Sequence, residues 1–457
     1  MRLSRSIGLT QATAMVVGTI VGASIFVQPS EVSRAVPSFS GMLLVWLVAG
    51  ALTWFGASIC AELTSAYPRT GGVYVFLCEL FSPAVGFLWG WAMFWSMHSG
   101  IIAAIAMVFG RYMSTIAPLG DLGVRLTAVG GILVLSIINY FGVRPGSAVQ
   151  TGLTVLKVAA VLALLALLVG GGSLHVPVAT AAVQAAPFLR ALVAGLFAFG
   201  GWHMVTYAAE ETREPERTIP RALMIGTALV VVIYLSLNAA YLLVLPLDRV
   251  LMSTHVAFDA TQETMGPRAA SAIAVLVIVS SFGAMSGIIL AGPRVYLAMA
   301  DDGLLFNWMG RLHATYKTPA VAIGAQAAWS SLLVLTGTYS AIVSRVVYTE
   351  WIFFGALALG TMSRRGAAGY RPAFRAAGFP LTPILFSLTC LAIVVNQILA
   401  DPGTSVIGLA IVLAGLPVYL VWRRSHAHDR LSQPLLPTEV PAGAGVGTDE
   451  RPRDDRR

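Results

Sequence analysis

The sequence predicts an all-α polytopic membrane protein, from its composition, its apolar runs and the placement of its basic residues. Of 457 residues, 57% are hydrophobic and 11% are charged, whereas soluble domains carry about 25% charged residues. Apolar runs of about 20 residues, the length that crosses a bilayer, recur along the chain. This composition excludes a soluble globular enzyme and predicts a chain that crosses a lipid bilayer many times.

The apolar runs between breakers predict twelve transmembrane helices. They cover residues 9–35, 41–65, 84–115, 124–142, 147–170, 188–210, 221–245, 269–300, 319–336, 341–362, 380–399 and 404–422. Residues 1–422 form a single transmembrane domain, divided into repeat one (about 9–170), repeat two (about 188–362) and two extra helices (380–422). Residues 423–457, rich in Pro, Gly and mixed charges, are predicted to be a disordered cytoplasmic tail.

Basic residues predict the orientation of the chain. Twelve spans place both termini on one face of the membrane. The loops on that face carry 13 basic residues, against 7 on the other face, before the arginine-rich tail is counted. The positive-inside rule then places both termini in the cytoplasm of a multi-pass protein of the cell (plasma or inner) membrane. The net charge of +8 is thus a topology signal and predicts no nucleic-acid partner.

Small residues interrupt the middle of two spans that stand five helices apart. The first span contains the stretch Gly18 to Phe26, with Gly22 at its centre, and the sixth contains Gly195 to Trp202, with Gly200 and Gly201 adjacent. Breaks in corresponding helices indicate a five-plus-five inverted repeat with a binding site near the bilayer midplane. The sequence therefore predicts that helices 1 and 6 are discontinuous.

Breaking a helix exposes backbone groups that can bind an amino acid. The second half-helix of the first span begins at Ala23, Ser24 and Ile25, where free N–H groups and the positive end of the helix dipole suit a carboxylate. The first half of the sixth span ends near Phe197 to Gly200, where unpartnered carbonyls suit an ammonium group. The two breaks together predict a site for the α-amino and α-carboxylate groups of one substrate.

At these residues the chain resembles the amino acid–polyamine–organocation (APC) transporters, in particular their L-type amino acid transporter branch. The family's first-span signature, Gly-Ser-Gly-Ile-Phe, is similar to Gly22-Ala23-Ser24-Ile25-Phe26. Its sixth-span signature, Phe-Ala-Tyr-Gly-Gly-Trp, is matched by Phe197-Ala198-Phe199-Gly200-Gly201-Trp202. The loop Glu210 to Pro220 continues the resemblance. Ala23 and Ser24 replace the family's Ser-Gly pair, which narrows the space beside a bound carboxylate.

The resemblance implies the twelve-helix, LeuT-like fold and secondary active transport by alternating access. It implies an aromatic gate at Phe197 and pocket positions on the third and eighth spans. The substrate-binding residues predicted from the breaks and from the resemblance are Gly22, Ala23, Ser24, Ile25, His98, Ser99, Phe197, Ala198, Phe199, Gly200, Trp202 and Ser286. For His98, a packing residue and a proton relay remain alternatives to pocket lining.

Two ionisable residues lie deep in predicted spans and are the candidates for ion coupling. Lys157 is roughly 15 Å into the fifth span at ~1.5 Å per residue. It resembles the lysine that takes the place of a sodium ion in sodium-independent members, and a proton-linked version of that role stays open. Glu350, ~14 Å into the tenth span, is predicted to carry a proton, to hold the basic end of a cationic substrate, or to form a structural pair.

These observations predict a sodium-independent secondary transporter of neutral amino acids, working as an exchanger or with protons. A cationic amino acid or polyamine antiporter is the nearer alternative, and a non-transporting amino acid sensor is a more distant one. The sequence lacks metal-ligand spacing, phosphate-binding loops and a Ser-His-Asp set, so we expect no metal, no cofactor and no enzymatic activity. The loop 116–124 has no cysteine, so we expect no disulfide-linked heavy subunit.

Overall fold

A computed structural model describes residues 5–141, 147–171, 183–306, 308–316 and 318–432. Its α-helices are α1 (Leu9–Ile20), α2 (Gln28–Ala35), α3 (Phe39–Ala66), α4 (Val73–Leu80), α5 (Pro83–Ala92), α6 (His98–Met113), α7 (Asp121–Tyr140), α8 (Ser147–Gly171), α9 (Ala185–Ala198), α10 (Pro215–Val244), α11 (Leu247–Met252), α12 (Val256–Met265), α13 (Pro267–Asp301), α14 (Ala320–Thr336), α15 (Tyr339–Arg364), α16 (Leu381–Ala400) and α17 (Pro402–Ser432). The 3₁₀ helices Ser24–Phe26 and Trp202–Glu211 follow α1 and α9. Within these ranges, β-structure is limited to an isolated bridge between Ile7 and Thr212.

The prediction of a polytopic helical membrane protein is confirmed. Ten segments of the described chain are long and apolar enough to cross a bilayer. They are Leu9–Phe26, Phe39–Ala66, Pro83–Met113, Asp121–Tyr140, Ala185–Glu211, Pro215–Val244, Pro267–Asp301, Tyr339–Arg364, Leu381–Ala400 and Pro402–Arg423. Two further apolar stretches are Thr154–Gly170, which is part of α8, and Ala320–Thr336, which is α14. They occupy the predicted fifth and ninth spans, and the count of twelve stays a prediction.

The ends of several helices follow directly from their sequences. Ser38 and Thr338 precede α3 and α15, and each side chain accepts a hydrogen bond from an amide of the first turn, as N-cap residues do. Pro83, Pro215 and Pro267 open α5, α10 and α13, where the missing N–H of proline has no cost. These local signals explain why the predicted boundaries lie close to the observed ones.

A π-helical turn, Met93–Met97, joins α5 to α6 within the third predicted span. Ser99 Oγ donates to the Phe94 carbonyl across this turn, at 2.7 Å. Turns of this type are frequent at functional sites because they rotate the following residues relative to a regular helix.

The helices that carry the two predicted breaks lie at the centre of the bundle. The α1 helix packs along α10 and α8, and α9 packs against α2, α3 and α15. On the other side of the site, α6 packs along α13 and α7. Peripheral helices turn apolar side chains outward; Leu122, Leu399 and Val421 are each more than 60% exposed. In a bilayer these side chains contact lipid, which explains large exposed hydrophobic residues on a folded chain.

A buried carboxylate holds the loop after α15 against α3. The Glu62 side chain is fully buried and forms an ion pair with Arg365. It also accepts hydrogen bonds from Tyr370 Oη at 3.2 Å and from the Ala376 amide at 2.8 Å. Burying a carboxylate is tolerated when its oxygens are paired in this way. Glu62 thus joins the loop firmly to α3.

The end of the chain differs in part from the prediction. Helix α17 continues to Ser432, beyond the predicted boundary at residue 422. The rest of the predicted disordered tail, residues 433–457, lies outside the described residues. So do Arg144 and Lys317, two of the basic residues counted for the orientation.

Candidate functional site

The chain leaves α-helical geometry after Ile20. The next residue has φ −72° and ψ 76°, and the 3₁₀ turn Ser24–Phe26 follows before α2 begins. Among the described residues, no acceptor is found for the amides of Ala23, Ser24 and Ile25. These three N–H groups lie at the start of the second half-helix, where partial positive charge accumulates.

The second break follows the end of α9 at Ala198. Gly201 has φ +95°, in the left-handed region that favours glycine. The Gly200 amide donates to the Phe197 carbonyl at 3.0 Å and so closes a tight turn. In the described part of the chain, no backbone N–H donates to the carbonyls of Ala198, Phe199 and Gly200. The break therefore presents oxygen acceptors without partners.

The two breaks lie side by side. Thr19 Oγ1 is 3.2 Å from the Gly201 carbonyl oxygen, and a methyl group placed on Gly201 would lie 3.3 Å from the Thr19 carbonyl oxygen. Tyr234 Oη donates to the Ile20 carbonyl at 2.7 Å, which gives a partner to one carbonyl at the end of α1. The first break, which has free amides, and the second break, which has free carbonyls, therefore lie next to each other at the centre of the bundle.

A narrow pocket lies at this junction and is walled on its other sides by α6, α13 and α15. Its lining consists of Thr19, Ile20, Gly22, Ser24, Ile101, Ile105, Phe197, Ala198, Gly200, Gly201, Met204, Ile288, Val346 and Glu350. The predicted site residues that line it are Gly22, Ser24, Phe197, Ala198, Gly200 and Glu350. Most of the wall opposite the breaks is aliphatic.

Glu350 brings a single carboxyl group to the pocket. Of the described lining residues, it alone is ionisable. The residue is 6% exposed, and no described cation lies within ion-pair distance of it. A buried carboxyl group without a partner is costly. The ion-coupling role of Glu350 stays a prediction.

Two predicted aromatic residues lie outside the pocket lining. Phe199 packs against Trp46 and Tyr234, with ring centroids 6.1 and 4.9 Å away. Trp202 packs against Phe354, with ring centroids 5.1 Å apart. Both rings fix the position of the sixth-span break within the bundle. Phe197, by contrast, lines the pocket itself.

Other predicted residues surround the pocket without lining it. Ala23 and Ile25 are fully buried in the first break, where only their amides are free. The Ser99 hydroxyl donates its hydrogen bond to the Phe94 carbonyl in the π-helical turn. Ser286 Oγ accepts a hydrogen bond from Asn139 Nδ2 at 3.4 Å. The roles assigned to these side chains remain predictions.

His98 is the first residue of α6, and its side chain lies near α13 and α14. Its side chain is 2% exposed, and a methyl group placed on Gly292 would lie 3.0 Å from its Cδ2 and 2.6 Å from Gln326 Oε1. Nε2 of His98 has no hydrogen-bond partner among the described residues. The residue lies one helical turn from Ile101, on the side of the pocket nearer the start of α5.

Lys157 lies behind the first break. Its side chain is half-buried, and a methyl group placed on Gly283 would lie 3.8 Å from Nζ. The neighbouring Ala284 contacts the break, since a methyl group on Gly22 would lie 3.7 Å from its Cβ. No described residue forms a hydrogen bond or ion pair with Lys157. Lys157 itself does not line the pocket.

The pocket walls include side chains that sequence analysis missed. Ile101 and Ile105 on α6, Ile288 on α13 and Val346 on α15 line the pocket. One of them could have been predicted from the sequence, because Val346 lies one turn before Glu350 on the same face of the helix. Which aliphatic faces converge depends on helix packing, which sequence pattern does not specify.

Comparison with known families supplies the decisive observation. A family model described as amino acid permease matches residues 7–421, which includes both breaks and all the pocket-lining residues. The chain belongs to the amino acid permease family. The predicted resemblance to APC transporters is therefore confirmed, and the helical architecture of the permease fits the LeuT-like fold of that family.

Relatives of the permease include several named amino acid transporters. The human cystine/glutamate transporter is 28% identical, with 92% of this chain and 86% of the relative covered. The serine/threonine exchanger of Bacillus subtilis is 29% identical over 93% of this chain and 98% of its own length. The human large neutral amino acids transporter small subunit 2 is 29% identical, with 92% and 80% covered.

These comparisons establish the class of the permease. The family and the relatives are transporters, so the prediction of a membrane transporter, not an enzyme, is confirmed. One relative is named as a small subunit. In this permease, Cys60, Cys78 and Cys390 are free thiols.

Proposed function

We propose that this permease is a sodium-independent secondary transporter of neutral amino acids that works by alternating access. The observation that carries the proposal is that two breaks border one pocket. The first break has free amides at Ala23, Ser24 and Ile25, and the second has free carbonyls at Ala198, Phe199 and Gly200. Ser24, Ala198 and Gly200 line the pocket itself. A carboxylate matches the first set and an ammonium group the second. The aliphatic wall then receives a small or medium apolar side chain.

Substrate recognition by the main chain explains how one family carries different amino acids. Backbone groups bind what all amino acids share, and the wall formed by Ile101, Ile105, Ile288 and Val346 contacts what differs between them. The proposal is supported by the relatives, which are named for serine and threonine exchange, for large neutral amino acids and for cystine and glutamate. Phe197 lines the pocket and is proposed to close over bound substrate.

Lys157 is proposed to provide the positive charge that a sodium ion provides elsewhere in the family. Its ammonium group lies next to Gly283, and the neighbouring Ala284 contacts Gly22 in the first break; we propose that its charge acts on the break from this position. A buried cation without a partner carboxylate must be solvated by backbone dipoles. The proposal has two versions. In one, transport is coupled to protons through Lys157 or Glu350; in the other, the permease exchanges amino acids without net ion movement.

A cationic amino acid or polyamine antiporter is the second candidate, favoured by one observation. Glu350 is a carboxyl group in a pocket that is otherwise neutral, and it is placed to accept a second amine. A protein that binds amino acids without moving them is the third candidate, and no feature of the pocket favours it.

We also propose that the permease resides in the cell membrane with both termini in the cytoplasm and works without a disulfide-linked heavy subunit. The excess of arginines on the terminal face supports the orientation. The absence of a cysteine from loop 116–124 supports the independence from such a subunit.

Counterflow in proteoliposomes tests the proposed function. Vesicles containing purified permease and unlabelled alanine, leucine or serine are expected to accumulate the matching radiolabelled amino acid without sodium. Inhibition by arginine or putrescine, but not by these neutral amino acids, would favour the cationic candidate. Binding in a thermal-shift screen of twenty amino acids and common polyamines, without counterflow of any of them, would identify a sensor.

A further inference from the structure

Three aromatic side chains form a cluster on the surface where α13 and the membrane span of α17 end. The Phe306 ring stacks with the Trp308 ring, with centroids 5.6 Å apart, and lies edge-to-face with the Trp422 ring, with centroids 4.4 Å apart. Trp422 Nε1 donates to the Gly303 carbonyl at 2.7 Å, which joins α17 to the turn after α13. Phe306 is 42% exposed and Trp308 is 50% exposed. We call Phe306, Trp308 and Trp422 the Trp308 cluster.

The Trp308 cluster lies on the face of the molecule that carries the N-terminus. Arg294, two turns before the end of α13, forms an ion pair with Glu211 at 3.2 Å. The Glu211 carbonyl accepts hydrogen bonds from the amides of Ser6 and Ile7, each at 3.0 Å. The end of α13 is therefore on the same face as the start of the chain, and this face is cytoplasmic in the proposed orientation.

The Trp308 cluster also lies at the level where α17 leaves the hydrocarbon layer of the bilayer. The apolar span of α17 ends at Arg423. Leu420 and Val421, directly before Trp422, are 48% and 70% exposed, as side chains that contact lipid are. Tryptophan is enriched at this level, because its ring can contact acyl chains and headgroups together. The lipid-facing surface of α17 thus continues into the cluster, and this continuity indicates that lipid covers the exposed rings.

Two arginines flank the Trp308 cluster. Arg423 directly follows the last ring of the cluster, and the Arg311 amide donates to the Trp308 carbonyl at 3.4 Å. Both arginines are exposed, and no carboxylate of a described residue lies within ion-pair distance of either. Asp302, at the end of α13, accepts a hydrogen bond from Tyr74 Oη at 2.6 Å instead. Guanidinium groups without a carboxylate partner are suited to bind phosphate.

We propose that the Trp308 cluster, together with Arg311 and Arg423, binds the headgroup of an anionic phospholipid. The rings lie beside the glycerol and the first part of the acyl chains, and the two guanidinium groups bind the phosphate. Because α13 also carries Ile288 of the pocket wall, the lipid contacts the end of a helix that forms the pocket. The inference requires only that the chain spans a bilayer, and it holds for any substrate of the permease.

Quenching of Trp308 fluorescence by brominated lipids tests the proposal. The full-length permease is reconstituted in phosphatidylcholine vesicles that contain brominated phosphatidylglycerol or, at equal mole fraction, brominated phosphatidylcholine. The signal of Trp308 is the difference between the parent and Trp308→Phe. Both lipids are expected to quench it, with a binding constant about tenfold or more in favour of phosphatidylglycerol, because each arginine near an anionic surface contributes about fivefold.

Arg311→Gln and Arg423→Gln are each expected to reduce this preference about fivefold. Each variant is measured against its own counterpart with Trp308→Phe. Arg217→Gln is the matched control, since Arg217 is exposed on the same face but forms an ion pair with Glu214 at 3.7 Å. The control is expected to keep the preference of the parent, and an equal loss there would contradict a specific site.

Three further results would overturn the proposal. Equal quenching by the two brominated lipids would show contact with lipid without recognition of the headgroup. No quenching by either lipid would place Trp308 against a second copy of the chain or another protein. Loss of the preference with glycerol 3-phosphate, but not with potassium chloride at equal ionic strength, would identify a soluble phosphate as the ligand. Arg311→Lys keeps the charge and is expected to keep most of the preference, which separates the loss of charge from an effect on folding.

Discussion

At the residue scale, the site depends on main-chain groups, and Gly201 sets the backbone geometry of the second break. Its φ of +95° is available to glycine at little cost, whereas other residues lose about 1–2 kcal/mol in left-handed geometry. An added methyl group would also approach Thr19 at 3.3 Å. The second break therefore needs glycine at this position.

Gly201→Ala is expected to destabilise the permease by about 1–2 kcal/mol and to reduce amino acid exchange, because the carbonyls at the break shift. Thermal unfolding of the purified protein and counterflow measure the two effects. Gly130→Ala is the control, because Gly130 lies within α7 with open space around it, and alanine there is expected to be neutral or stabilising. Equal behaviour of the two variants would contradict the role of Gly201.

Lys157→Ala is expected to reduce exchange about tenfold or more, which corresponds to about 1.4 kcal/mol, while protein abundance stays near that of the parent. The reason is that the variant loses the positive charge proposed to take the place of a sodium ion. Counterflow with and without sodium, normalised to purified protein, is the measurement. Unchanged exchange with unchanged sodium independence would remove the proposed role of Lys157.

Glu350→Gln separates the roles proposed for the pocket carboxyl group. If Glu350 carries a proton, the variant loses the pH dependence of uptake shown by the parent, because glutamine does not titrate. If it binds a second amine, the variant loses inhibition by arginine and putrescine and keeps transport of neutral amino acids. Initial uptake rates across a pH series, with each competitor, distinguish these outcomes. A variant identical to the parent in both respects would leave Glu350 as a structural residue.

At the scale of elements, the buried ion pair and hydrogen bonds of Glu62 join α3 to the loop after α15. Removing the Glu62 carboxylate is therefore expected to destabilise the protein strongly. Glu62→Gln leaves Arg365 without its carboxylate partner in a nearly dry environment and is expected to cost on the order of 3 kcal/mol. Thermal unfolding followed by gel filtration reports the change. Arg217→Gln removes an exposed pair with Glu214, 3.7 Å apart, and serves as control with an expected change of about 0–1 kcal/mol. Similar losses of stability for both variants would contradict the importance of the buried Glu62–Arg365 ion pair.

The short helix α4 offers a pH-dependent prediction outside the membrane-spanning segments. Burial raises the pKa of the Cys78 thiol to about 11, so little thiolate is present at neutral pH. Cys78 is expected to react with maleimide far more slowly than an exposed thiol at pH 7, and to react faster as pH rises, because the thiolate is the nucleophile. Mass spectrometry of labelled peptides measures the rate. Fast labelling of Cys78 at pH 7 would show that α4 opens readily.

At the scale of the whole molecule, much of the fold was predictable because the bilayer restricts the choices available to a chain. Apolar length specified where helices such as α3 and α15 begin and end to within a few residues, and caps such as Ser38 and Thr338 explain those boundaries. The fifth and ninth spans were predicted at residues 147–170 and 319–336, and α8 (Ser147–Gly171) and α14 (Ala320–Thr336) match these bounds to within one residue.

Only the part of the candidate site formed by the backbone could be predicted from the sequence. Glycines at 22, 200 and 201 indicated both breaks, because a break in a helix is a matter of local backbone geometry. The wall residues Ile101, Ile288 and Val346 were missed, since they are ordinary aliphatic residues that become a wall only through packing. Phe199 illustrates the same limit: its sequence position suggests a pocket residue, but its ring packs against Trp46 and Tyr234.

The central claim is that main-chain groups at the two breaks bind the carboxylate and the ammonium group of one amino acid. The most direct measurement is competition in proteoliposome counterflow between a transported amino acid, its methyl ester and its N-acetyl derivative. The account predicts that the unmodified amino acid inhibits uptake of its radiolabelled form and that both derivatives fail to do so, because each has lost one of the two charged groups. Inhibition by the ester and the N-acetyl derivative as strong as that by the free amino acid would contradict it.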